Sequence, residues 1–208
     1  MGNVTGVKDM IIRPDKEKVL KEFQEKYVAD RYKEELKKII EEYQNNREVI
    51  KAKLTSQFNS VCKAAILFQE KEVKMEIKYI YFSMLRTKLL ENKGEWRIDL
   101  YDEKWFLDKE ECSVNIDLDF IYKPLFNHMK ELSEKKKEYG RTIKEKDLEA
   151  IKLREANKYH SVALKIIRNT LQNFLECTSY KEMKKKEDIV IMVGEYMDVA
   201  IQINTKNS

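Results

Sequence analysis

Apolar residues recur at helical spacing through the first part of the chain. Val19, Phe23, Tyr27, Leu36, Ile39, Ile40 and Tyr43 fall mostly three or four apart, which puts them on one side of a helix. Pro14, Asp15 and Glu17 supply a start signal: proline suits the first helical turn, and carboxylates favour the positive end of the helix dipole. One helix is therefore expected from there to about Tyr43. Asn45 and Asn46 follow as turn residues, because their side chains compete for backbone hydrogen bonds. Residues 1–13 form a short lead in which Met10, Ile11 and Ile12 suit a brief strand or a packing arm.

Between Gly6 and Gly94 there is no glycine, and the only proline is Pro14. The residues that best interrupt a helix are missing, so a second helix is expected from about Arg47 to Glu91, some ~65 Å long if unbroken. Leu54, Phe58, Val61, Ala65, Phe68, Glu72, Met75, Tyr79, Phe82, Arg86 and Leu89 step alternately by four and three, the pattern of a seam facing a partner helix. An antiparallel hairpin within one subunit and an oligomeric coiled coil both satisfy it. Asn92-Lys93-Gly94 reads as the exit, with glycine in the left-handed cap.

The period then changes to two. Trp96, Ile98 and Leu100 alternate with Arg97, Asp99 and Tyr101, and Val114, Ile116, Leu118 and Phe120 alternate with Asn115, Asp117 and Asp119. Both segments read as strands, with another strand beginning at Trp105, Phe106 and Leu107. Pro124 marks a helix start, the charged section 130–146 with Gly140 a loop or helix end, and 144–176 another long helix. In the tail, Ile189, Ile191, Val193, Val199, Ile201 and Ile203 suit two short strands turning near Gly194-Glu195, although an amphipathic helix also fits. The expected fold is α+β and predominantly α. It is a long-helix bundle or hairpin with a small antiparallel sheet, in a single domain over 1–208 with a strand-rich acidic insert at about 95–121.

Composition sharpens this picture. Of 208 residues, 42% are hydrophobic and 38% charged, enough apolar material for an interior and too much charge for broad apolar faces. The formal net charge is only +4, but 95–120 carries nine acids against three bases. A basic helical body with an acidic insert results. Cys62, Cys112 and Cys177 are widely spaced and odd in number, which argues against a disulfide framework or structural zinc and suits packing in a reducing compartment. No apolar run is long enough to cross a membrane, no signal-peptide core opens the chain, and Gly6 occupies the Ser/Thr position of a myristoylation motif. The cytoplasm is the expected location, with no membrane partner.

Few residues promise chemistry. There is no glycine-rich nucleotide loop, no H-E-x-x-H and no G-x-S-x-G, so no cofactor or metal is implied. His128 lies beside Phe126 and Met129 and reads as a packed histidine. Arg154-Glu155-Ala156-Asn157-Lys158-Tyr159-His160 resembles the R-x(4–6)-H motif of HEPN-type ribonucleases. That resemblance implies metal-independent RNA cleavage, with Arg154 holding the phosphate and His160 transferring the proton. On a straight helix six residues turn through about 240°, so the pair needs a bend or a second subunit to share a face.

Asp99, Asp117 and Asp119 form an acidic surface on the expected sheet, suited to divalent cations or to keeping sheet edges solvated. Lys135, Lys136 and Lys137, with Lys184, Lys185 and Lys186, form basic patches suited to phosphate backbones. Three classes of function follow. The foremost is a helical scaffold or protein-interaction protein that self-associates, with a protein partner or second copy. The others are the HEPN-like nuclease and a nonenzymatic nucleic-acid binder.

Overall fold

The computed structural model of the chain describes residues 15–203, so Pro14 and the 10–12 segment lie outside the described residues. Three helices come first: α1 (Lys16–Tyr27), α2 (Tyr32–Asn45) and α3 (Arg47–Glu70). Next are β1 (Ile77–Met84), the short α4 (Arg86–Leu90), β2 (Glu95–Tyr101) and β3 (Ser113–Asp117). Helices α5 (Asp119–Lys135), α6 (Glu145–Glu176) and α7 (Thr178–Glu182) lead to β4 (Lys185–Glu195) and β5 (Ala200–Ile203). The fold is α+β and dominated by helix, with strand order β3-β2-β1-β4-β5. The sheet is mixed rather than wholly antiparallel, because β1 and β4 run parallel. A parallel neighbour needs a long crossover, and α5, α6 and α7 supply it.

The expected 47–91 helix is the main correction. Helix α3 stops at Glu70, and the second half of the supposed seam is divided among a turn, strand β1 and the short α4. The stop is a Schellman turn: Glu72 takes a left-handed conformation (φ 58°), its N–H donates to Gln69 C=O at 3.1 Å, and Val73 N–H donates to Phe68 C=O at 3.1 Å. Asn92 (φ 60°) closes α4 in the same way, so the left-handed cap falls there and not on Gly94. Asp30 (φ 59°) separates α1 from α2, which splits the expected first helix. Three helix ends are thus made by residues other than glycine.

Other boundaries moved for local reasons. Trp105–Leu107 is a turn of 3-10 helix and not a strand. Helix α5 begins five residues before Pro124, where Asp117 Oδ1 accepts from Asp119 N–H at 2.8 Å and satisfies one of the free donors of the first turn. The tail forms the expected hairpin, with its turn after Glu195; Met197 there has φ 56°.

Ile80, Phe82 and Met84 of β1, Trp96, Ile98 and Leu100 of β2, and Ile191 and Val193 of β4 share one buried face. Helices α3 and α6 cover it. Phe58 of α3 and Phe174 of α6 stack at 4.8 Å, and Phe174 stacks on Phe82 at 5.4 Å. Phe58 and Phe82, which a single helix would hold about 36 Å apart, instead stack at 6.1 Å as helix against strand. The opposite face carries Tyr79, Tyr81, Ser83, Arg97, Asp99 and Tyr101. Segment 102–112 folds over it, placing Trp105 at 4.3 Å from Tyr79 and 5.4 Å from Tyr101. A buried ion pair holds this cover down: Lys74 Nζ lies 2.6 Å from Asp108 Oδ2 and 2.6 Å from Glu110 C=O.

Candidate functional site

His160 faces the core from α6. Trp96 Nε1–H donates to Tyr122 Oη at 2.9 Å, and Tyr122 Oη lies 2.7 Å from His160 Nδ1. The bond to Tyr122 engages Nδ1, while Nε2 is buried with no hydrogen-bond partner among the described residues. Burial pushes the His160 pKa down to about 4, and the charge of Arg86 acts in the same direction. Arg154 is exposed and lies beside Glu155, Nε to Oε1 3.8 Å. No hydrogen bond or ion pair joins Arg154 to His160 among the described residues, so the structure does not gather the two into one cleft.

The three aspartates also part company. Asp99 is 1% exposed, not on the surface as its alternation suggested. The 102–112 cover buries it. Arg97 Nε donates to Asp99 Oδ1 at 2.7 Å, and desolvation raises the Asp99 pKa while Arg97 acts the other way. Asp117 pairs with Lys53 at 2.7 Å across to α3, and Asp119 sits in α5, where its carboxylate accepts from Gly94 N–H. No metal-binding group of His, Cys, Asp or Glu forms among the described residues.

The lysine runs are largely neutralised where they stand. Lys135 pairs with Glu138 at 3.1 Å, Lys136 with Glu145, and Lys137 with Glu134. Lys185 Nζ caps the carbonyls that end α7, including Tyr180 C=O at 2.8 Å, while Lys186 lies 3.4 Å from Glu76. Lys184 is exposed, and its backbone is held by the Gln69 side chain. Local acids lower the potential that a phosphate backbone would meet.

A groove of about 730 Å³ separates α2 from α5, lined by Arg31, Glu35, Glu42, Lys123, Lys130 and Glu131 among others. Its charges are mixed, and Arg31 and Glu131 pair across it at 2.7 Å. His128 on its wall donates Nε2–H to Tyr27 C=O at 2.9 Å, and burial lowers its pKa.

The sheet's two ends differ more tellingly. At β3 the edge is guarded: Gln57 of α3 donates to Asn115 C=O at 3.1 Å, and Lys53 reaches Asp117. At the other end, Ala200-Ile201-Gln202-Ile203 is an uncharged strand bonded to β4 on one side only among the described residues. Glu195 N–H donates to Val199 C=O at 2.9 Å. Alternation along the ladder then turns the N–H and C=O of Ala200 and Gln202 away from β4. Beside this free edge stand Met197, Val199 and Ile201, exposed by 66%, 72% and 44%. The apolar run of the tail was visible in the chain; that it would lie at the rim of the sheet was not.

Comparison of the chain with protein-family models, with curated proteins and with solved structures gives no match. The functional reading rests on this geometry.

Proposed function

We propose that the chain is a protein-interaction module that self-associates by pairing β5 with β5 of a second copy. One observation carries the reading: an uncharged, half-bonded edge strand flanked by three exposed apolar side chains. Proteins usually blunt such edges with lysine, proline or a covering element, as Gln57 and Lys53 do at β3. A second copy suits this edge because a strand without charge does not repel itself. Antiparallel pairing about a two-fold axis would bring Ile201 onto apolar neighbours and satisfy the outward backbone groups of both copies. The nearby charges are already compensated, Arg86 lying 2.5 Å from Glu195 and 3.4 Å from Asp198.

Light scattering over a concentration series tests the proposal, with a mass rising from one chain to two as expected. Gln202→Pro removes an outward N–H without touching the ladder to β4, so it should hold the protein at one chain with an unchanged circular dichroism spectrum. A single-chain mass at every concentration, or a Gln202→Pro variant that dimerises as the parent does, would sink it.

A further inference from the structure

The three cysteines, distant in the chain, converge on one turn of α3. Cys62 is wholly buried there. Cys177, at the junction of α6 and α7, is half-buried. Burial raises the Cys62 pKa, and the Cys177 thiol is near enough to add to that rise. The backbone brings them together: Ser179 N–H donates to Asn59 Oδ1 at 3.2 Å, and Asn59 stands one turn before Cys62 on the same side of α3. Cys112 approaches from the segment before β3, but its Sγ–H is given to Val61 C=O at 3.4 Å.

Solvent reaches only one member of the cluster readily. A groove of about 490 Å³ between α3 and the end of α6 is lined by Lys51, Ser56, Asn59, Asn173 and Cys177, among others. Cys62 and Cys112 do not line it, and both are buried. Burial, with the neighbouring Cys177 thiol second, pushes the Cys62 pKa up, so Cys62 is slow to react with anything arriving from outside.

We propose that Cys177 is a hydroperoxide-sensitive modification site and that Cys62 resolves it, forming a disulfide that ties α3 to the junction leading into β4. In the first step the Cys177 thiolate attacks the terminal oxygen of the hydroperoxide. The O–O bond breaks, Cys177 becomes a sulfenic acid, and hydroxide leaves and is protonated to water (an alcohol, for an organic peroxide). In the second, the Cys62 thiol attacks the Cys177 sulfur and gives its proton to the departing hydroxide, so the S–O bond breaks, the S–S bond forms and a second water leaves. The two sulfurs supply the two electrons that reduce the peroxide, and a thiol reductant reverses the result.

The test uses the full chain treated with hydrogen peroxide, with free thiols counted in denaturant. The count should fall from three to one, recover fully with dithiothreitol, and be accompanied by a higher thermal midpoint in the oxidised form. Peptide mapping should link the segment holding Cys62 to that holding Cys177. Cys112→Ser should behave like the parent, whereas Cys177→Ser and Cys62→Ala should form no intramolecular link; circular dichroism verifies that each is folded. In Cys62→Ala a sulfenic acid on Cys177 should be trapped by dimedone. The proposal fails if three thiols survive peroxide in the folded parent. It also fails if the linked peptide contains Cys112, or if Cys177 is overoxidised without ever linking to Cys62.

Discussion

The two halves of the sheet are built on different terms. Under β2 and β3, polar and apolar groups are locked together: Trp96, Tyr122 and His160 form a hydrogen-bonded chain from a strand through α5 to α6, and α3 guards the outer edge. At the far side, β4 and β5 end in a hairpin whose outer strand, among the described residues, has bonds on one side and apolar side chains exposed beside it. The first half draws its stability from the helices of its own chain. The second leaves Met197, Val199 and Ile201 exposed beside a strand that pairs only with β4 among the described residues.

The largest effect that would sharpen the contrast lies in the locked half. Trp96→Ala removes a fully buried indole and leaves Tyr122 without its donor. Chemical denaturation should show a loss of about 3–5 kcal/mol, the range for large aromatic truncations in a core. A loss below about 1 kcal/mol would mean that this half is not tightly packed.

Next comes acid. His160 has a folded-state pKa of about 4 against 6.5 for the ordinary side chain, so between those values the unfolded chain binds the proton and the folded one does not. Stability contributed by keeping His160 neutral is present above pH 6.5 and declines toward pH 4, by at most about 3 kcal/mol. His160→Gln, which retains an acceptor for Tyr122, should flatten that part of the profile; His128, also depressed, keeps its own share. An unchanged slope in the variant would show that another group carries the acid sensitivity.

The smallest effect belongs to the open half. A Cβ on Gly194 would lie 2.1 Å from Val199 C=O and 2.6 Å from Ala200 Cα, so the hairpin backbone must shift to admit it. Gly194→Ala should cost about 1–3 kcal/mol, with hydrogen exchange accelerated in β5 and little changed in β2. If β2 amides lose protection equally, the two halves unfold as one and the contrast is not energetic.

Much of this architecture was legible from the residues. The period-two alternation of Trp96-Arg97-Ile98-Asp99-Leu100-Tyr101 marked β2, and the apolar spacing from Tyr159 to Leu175 marked α6, because each alternates apolar with polar residues at the period of its element. Strand β1 escaped notice for the opposite reason. It lies at the centre of the sheet, and Ile77-Lys78-Tyr79-Ile80-Tyr81-Phe82-Ser83-Met84 packs on both faces, so alternation is blurred and a helical period fits by coincidence. The stop before it was equally hidden. Glutamate, asparagine and aspartate each adopt the left-handed conformation that glycine would announce, at a cost of about 1–2 kcal/mol that the surrounding contacts offset. For the candidate sites, the exposed tail residues could be named, but strand order decides which strand is outermost. The convergence of Cys62 and Cys177 depends on the crossover through α5 and α6, which no local spacing records.

The placement of the two tryptophans gives the molecule a pair of built-in optical reporters. Trp96 lies in the dry layer beneath the helices, while Trp105 sits in the cover pinned by Lys74 and Asp108 on the opposite face. Emission from the first follows the integrity of the interior, and emission from the second follows whether the cover stays closed. The chain can therefore signal the peeling of one side of its sheet separately from the melting of the whole.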